Sequence, residues 1–237
     1  MKDTKFRFKQ FTIEQDRCTM KIGSDAVLMG SLLSITNPSS SVLEIGSSTG
    51  VIGLMLAQRF PDINVKAIEI DAASTQVSKE NFKNSNWGDR LESIHADFLT
   101  YQFNTTYHHI LSNPPYFLNA LKSDRAEKNM AKHIDWNLFQ EWLLKADVLL
   151  KDHGMLSFIL PTLAFEKTDA YLKSMGYKRF EHIAIQSFEH TEAIRHLCSW
   201  QKQGLEDCDT STFVLYEAEK VHSKAYVQAL KDFLIIF

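Results

Sequence analysis

Cysteine, proline and glycine are all scarce in this sequence: its 237 residues include three cysteines, five prolines and nine glycines. Cys18, Cys198 and Cys208 are odd in number and far apart, which excludes a disulfide framework and any zinc-type ligand spacing. That usage suits a reducing cytoplasm, where the chain is expected to work without a metal. Long apolar runs are missing too, none approaching the ~20 residues of a membrane span. Met1 to Arg7 is polar and charged and lacks the apolar core of a signal peptide, so no membrane association is expected. There is no basic excess: 26 Lys and Arg against 29 Asp and Glu leave a net charge of −3. Bulk charge therefore announces no nucleic-acid partner, although a local basic rim would suffice for an enzyme that turns over. Repeats and low-complexity segments are absent. The length fits one large α/β domain over residues 1–237, with 1–40 as an N-terminal segment and 41–237 as its core.

What is present is an alternation of short β-branched runs with longer amphipathic segments. Val42 to Ile45 reads as a buried strand and Val51 to Phe60 as a helix ended by Pro61. A second strand spans Asn64 to Ile70, followed by a helix from about Ala72 to Asn84. Arg90 to His95 and Tyr107 to Ser112 read as the third and fourth strands. Leu138 to Leu150 places Phe139, Leu143, Ala146 and Leu150 on one helical face. Gly154 then turns the chain into a fifth strand, Met155 to Leu160, closed by Pro161. Such alternation implies parallel pairing through right-handed crossovers, hence a doubly wound, Rossmann-like sheet with helices on both faces. Lys178 to Ile185 and Thr212 to Glu217 read as an antiparallel closing pair, making seven strands, and a last helix is expected near Tyr226 to Phe233.

Ligands of doubly wound sheets sit outside the carboxyl ends of the strands. Three segments fall there. The first is the small-residue loop Gly46-Ser47-Ser48-Thr49-Gly50 after Glu44, where a ligand can approach the backbone and free N–H groups of the next helix. Glu69 ends the second strand about 20 residues later, where a carboxylate can accept from both hydroxyls of a ribose. Asp97 ends the third strand, placed to accept from an adenine amino group with Phe98 beside the ring. Each alone is also what an ordinary turn, strand-end carboxylate or loop-capping aspartate looks like. Together they describe a nucleotide-like ligand.

Asn113-Pro114-Pro115-Tyr116 follows the fourth strand directly. Two prolines fix the backbone and remove two donors, leaving the Pro114 carbonyl and the Asn113 side-chain oxygen to accept from one amino group. Tyr116 adds a flat face for a planar base or amide. With this motif the chain resembles the class I, Rossmann-like methyltransferases that act on exocyclic amino nitrogens, and more closely the bacterial tRNA1(Val) (adenine(37)-N6)-methyltransferases. The residues carrying the resemblance include Phe8 to Phe11, Asp16 to Asp25, Gly30, Leu54 to Arg59, Glu80-Asn81-Phe82, Ser112 to Tyr116, Ala131-Lys132-His133, Tyr226 and Lys231-Asp232-Phe233.

The resemblance implies S-adenosyl-L-methionine as cofactor and an adenine of a tRNA anticodon loop as substrate, handled by a monomer. Gly23, Ser24 and Asp25 would touch the methionine part of the cofactor. Glu44, Gly46 and Gly50 belong to the first loop, Glu69 to the ribose, Asp97 and Phe98 to the adenine, and Asn113 to Tyr116 to the target base. The N-terminal segment would contribute on the cofactor and RNA side. Ser48 departs from the pattern, standing where the family has the middle glycine of its loop, and Glu44 replaces the commoner aspartate. Lys5, Arg7, Lys9, Arg17 and Lys21, with Lys122, Arg125, Lys128 and Lys132, are candidates for a basic rim, although a solvated face explains the first five equally well. The pair His108-His109 is assigned to structure, one member buried.

Alternative functions share parts of this signature. Protein glutamine N5-methyltransferases carry the same motif but add a helical N-terminal domain, whereas about 40 residues precede the loop here. Amino-group methylation in ribosomal RNA or DNA, and a non-catalytic RNA binder, also remain open.

Overall fold

The computed structural model describes residues 5–37, 39–115 and 135–237. After a short hairpin of β1 (Lys5–Arg7) and β2 (Thr12–Glu14) comes helix α1 (Ser24–Leu32). The alternation expected from the sequence follows: β3 (Ser41–Ile45), α2 (Val51–Arg59), β4 (Asn64–Glu69), α3 (Ala72–Lys83), β5 (Leu91–His95) and β6 (Tyr107–Ser112). The second half holds α4 (Trp136–Leu149), β7 (Leu150–Leu160), α5 (Thr162–Ser174), β8 (Lys178–Phe188), β9 (Ala193–Gln201), β10 (Ser211–Ala218), β11 (Val221–His222) and α6 (Lys224–Leu230). Several helices begin on side-chain caps, which satisfy first-turn N–H groups. Asp71 accepts from Ser74 N at 2.8 Å ahead of α3, and Ser223 from Tyr226 N at 3.0 Å ahead of α6.

One sheet of nine strands runs in the order β11-β10-β8-β9-β7-β6-β3-β4-β5. Strands β5, β4, β3, β6 and β7 pair parallel, and β9 is antiparallel to both of its neighbours. Apolar side chains cover both faces. One face packs residues of α1, α2 and α6, such as Leu28, Leu54 and Leu230; the other packs α4 and α5 through Phe139, Leu143 and Leu172. From β3 the chain moves outward to β4 and β5, then returns to lay β6 on the other side of β3. That reversal opens a crevice at the carboxyl ends of β3 and β6, the place where a doubly wound sheet binds ligands. Ser112 Oγ pins the two strand ends together, donating to the Ile45 carbonyl at 2.7 Å.

Four expectations need correction. The sheet has nine strands rather than seven, because β9, inserted between β7 and β8, and the two-residue β11 at the edge add to the expected set. Residues 178–188 and 211–218 pair parallel, not antiparallel. The antiparallel partner of β8 is β9, joined to it by a short turn in which His190 takes a positive φ. Because β9 finishes at the edge where β8 begins, the next strand laid beside β8 runs in the direction of β8. Gly154 does not start a strand: β7 already begins at Leu150 and passes through Gly154 with an irregularity, its pairing jumping from Tyr107↔Leu150 to His109↔Met155. Finally, α1 was invisible to periodicity because Ala26 to Ser31 are all buried, so it has no polar stripe.

Candidate active site

The loop after β3 folds as a chain of left-handed residues. Gly46, Ser48 and Gly50 have φ of 73°, 45° and 79°. At Gly50 a Cβ would also come within 2.5 Å of the Phe82 ring, so only glycine fits. Ser48 holds the same left-handed conformation with a side chain, at a cost of about 1–2 kcal/mol. Two acidic side chains brace this loop. Glu44 is 1% exposed and its Oε2 accepts from Gly53 N at 3.1 Å, tying β3 to the first turn of α2. Burial pushes its carboxyl up to about 8, helped by the nearby Glu69 charge. Glu69, also buried, accepts from Ser48 N at 2.8 Å through Oε2 and from Asp71 N at 2.9 Å through Oε1. Ser47 is 4% exposed, and its hydroxyl has no hydrogen-bond partner among the described residues.

Two further segments complete the site. The chain from Met20 to Gly23 crosses in front of the loop, and Ser48 Oγ donates to the Met20 carbonyl at 2.7 Å. At the start of α1, Asp25 pairs with Arg195, whose Nε donates to Oδ2 at 2.9 Å. Opposite, β6 delivers Asn113, Pro114 and Pro115. These pieces enclose a cavity of about 360 Å³ lined by Met20 to Gly23, Asp25, Gly46 to Thr49 and Asn113 to Pro115, among others.

Of the residues singled out in the sequence, Gly23, Asp25, Gly46, Asn113, Pro114 and Pro115 meet on this wall. Ser24, Glu44, Gly50 and Glu69 stand outside the lining; Glu69 reaches it through its bond to Ser48. Asp97 uses Oδ1 to cap its own turn, accepting from Leu99 N at 2.8 Å. Phe98 departs from the expectation: its ring is 3% exposed and packs edge-on against Phe103 and Trp142, so it offers no face to a ligand. Tyr116 lies outside the described residues, as do Lys122, Arg125, Lys128, Lys132 and His133.

The proposed N-terminal basic rim thins in the fold. Lys5 pairs with Glu14 at 2.6 Å, Arg17 with Glu80 at 2.6 Å, and Lys9 Nζ donates to the Phe237 carbonyl at 2.7 Å. Lys21 lies on the cavity wall instead. His109 is buried and bonds Ser157, while His108 bonds Ser41 at the opposite end of the strand. Among the described residues no group of three or more His, Cys, Asp or Glu could hold a metal ion, and no helix is long and apolar enough to cross a membrane. Sequence reasoning named the loop that holds Ser47 but gave its side chain no role, and it missed Ile70 as an exposed apolar side chain (67%) directly after Glu69. An apolar residue at a strand end, where solvent is expected, was the available signal for Ile70.

Comparison with known proteins decides the family. The family model described as "Methyltransferase small domain" matches residues 19–168. The chain belongs to this methyltransferase family. Similar relatives carry the name tRNA1(Val) (adenine(37)-N6)-methyltransferase. The one from Pedobacter heparinus is 35% identical over 98% of each chain, and the one from Flavobacterium psychrophilum is 32% identical over 97% of this chain and 99% of its own. Among solved structures, a predicted O-methyltransferase from Agrobacterium tumefaciens superposes with a TM-score of 0.69 at 17% identity, covering 88% of this chain and 96% of that one. P. horikoshii TYW2 in complex with MeSAdo gives a TM-score of 0.60 at 14% identity, over 85% and 73% of the two chains. At these identities the structures speak for the methyltransferase fold, the Rossmann-like class I arrangement described above.

Proposed function

We propose that the chain transfers a methyl group from S-adenosyl-L-methionine to the N6 amino group of an adenine in tRNA, adenine-37 in the anticodon loop of tRNA1(Val). The observation that carries this is the meeting of Asn113-Pro114-Pro115 with the glycine loop on one cavity wall. The relatives' shared name supports the same substrate.

The residues present fit the cofactor. Ser47 Oγ is a buried polar atom without a partner among the described residues, on the wall of a cavity large enough for a small molecule. Glu69 ends β4 beside that wall, where it would accept from ribose hydroxyls, and the exposed Ile70 next to it would meet an apolar ring face. Gly23, Asp25 and Gly46 would hold the remainder. When bound, the cofactor supplies an electrophilic methyl carbon on a sulfonium.

The chain's own work is to align and polarise the amine. An adenine amino lone pair is delocalised into the ring. Two acceptors, Asn113 Oδ1 and the Pro114 carbonyl, would bind its two hydrogens and favour a tetrahedral nitrogen as positive charge develops. The extra proton leaves to water, so no strong base is needed. Pro115 fixes the backbone behind these acceptors. An anticodon-loop adenine is already unpaired, which keeps the cost of splaying it into the site small.

The test is methyl transfer from labelled S-adenosylmethionine into total tRNA, ribosomal RNA and protein, followed by nucleoside analysis. Label recovered as N6-methyladenosine in tRNA supports the reading. Label in ribosomal RNA or protein, or none despite cofactor binding, overturns it. Glu69→Ala separates the cofactor assignment: affinity for S-adenosylmethionine should fall, and an unchanged value removes Glu69 from the ribose site.

A further inference from the structure

Ser48 spends backbone strain at a position where glycine would be free of it, since φ is 45° and a side chain is nevertheless present. Two of its hydrogen bonds go to different elements. The amide donates to Glu69 Oε2 at 2.8 Å and the hydroxyl to the Met20 carbonyl at 2.7 Å. One residue thereby joins the glycine loop, the carboxylate at the end of β4, and the segment that forms the front wall of the cavity. Neighbouring ties of that stretch are longer and reach other elements: Thr19 N donates to Ser74 Oγ at 3.3 Å and Ile22 N to Gln15 Oε1 at 3.1 Å.

We propose that Ser48 is a positioning residue whose hydroxyl clamps Met20–Gly23 against the glycine loop and holds the cavity in the shape that takes S-adenosylmethionine. This rests on the cofactor reading above. The residue acts through the segment it holds, so removing the hydroxyl should loosen that wall even where the fold gains stability.

Two substitutions separate the hydroxyl from the strain. Ser48→Gly removes both, whereas Ser48→Ala removes the hydroxyl and keeps the left-handed side chain. Thermal melts should therefore diverge, with the glycine variant at or above the unmodified protein and the alanine variant below it. Calorimetric affinity for S-adenosylmethionine should fall alike in both, by about 5- to 10-fold, as expected for one lost hydrogen bond. Amide hydrogen exchange in the free protein should accelerate over residues 19–23 in both. A glycine variant that binds as tightly as the unmodified protein, or tighter, overturns the proposal. So does affinity that simply follows melting temperature, which marks a structural role. If the unmodified protein does not bind S-adenosylmethionine, the cofactor reading is what fails, and exchange over residues 19–23 still decides whether Ser48 holds the segment.

Discussion

The middle of the sheet and its carboxyl edge both bury polar side chains, with different outcomes. In the middle, His109 on β6, Ser157 on β7 and Ser199 on β9 form a relay across three strands, with 2.6 Å from His109 Nε2 to Ser157 Oγ and 2.6 Å from Ser157 Oγ to Ser199 Oγ. Burial pushes His109 down to about 3, so it stays neutral and every link is an uncharged hydrogen bond. At the edge, Ser47 Oγ is buried without a partner among the described residues, Glu44 is a buried carboxyl, and Ser48 is strained. Buried polar atoms that satisfy one another make structure; those left over beside a cavity mark where a ligand completes the bonding.

That contrast can be broken by substitution, and the largest effect is expected at the edge. Asn113→Ala should lower methyl transfer by about 10²–10³-fold, the scale for losing one aligned acceptor, with S-adenosylmethionine affinity near normal. Retained turnover in a single-turnover assay would remove Asn113 from the amine site.

Glu44→Gln probes the same edge through pH. A buried carboxyl held near 8 keeps its proton in the folded state while the unfolded chain loses its own near 4.5. Folded Glu44 therefore costs stability increasingly as pH rises from about 4.5 to about 8, and the cost is constant above that. Denaturant unfolding should show the glutamine variant gaining on the parent over this window, by a few kcal/mol at most. A difference that is flat with pH would show that Glu44 is not held protonated.

Ser157→Ala should cost about 1–3 kcal/mol, because His109 and Ser199 each lose their link, while cofactor affinity stays unchanged. Ser47→Ala inverts this result. Stability should be unaltered or slightly higher, since an unpartnered hydroxyl leaves, and cofactor affinity should fall by about tenfold or less. Equal effects of the two serine substitutions on melting temperature and calorimetric affinity would erase the distinction between relay and edge.

Much of this organisation was legible in the sequence. The strands and helices from Val42 to Ser112 followed from period and breakers, and β6 from Tyr107 to Ser112 matches to the residue. In this stretch period and breakers alone mark each element, although β6 pairs with the distant β3. Asn113-Pro114-Pro115 and Gly46, which the sequence singled out, line the cavity for a similar reason: backbone needs restrict Gly46 and the two prolines to a few residue types. Other features were decided by tertiary packing. Whether 211–218 pairs parallel depends on where β9 ends, which no residue in β10 records. Phe98 reads as a ring available to a ligand until Phe103 and Trp142 close over it. Lys5, Lys9 and Arg17 read as a basic rim until Glu14, the C-terminal carbonyls and Glu80 take them up. Ser48 shows the division within one residue. The sequence marked it as a departure from the pattern, but its bond to the Met20 carbonyl joins positions 28 residues apart and exists only when the N-terminal segment lies across the loop. Local chemistry set what each residue could do, and the fold chose which partner was near enough to do it with.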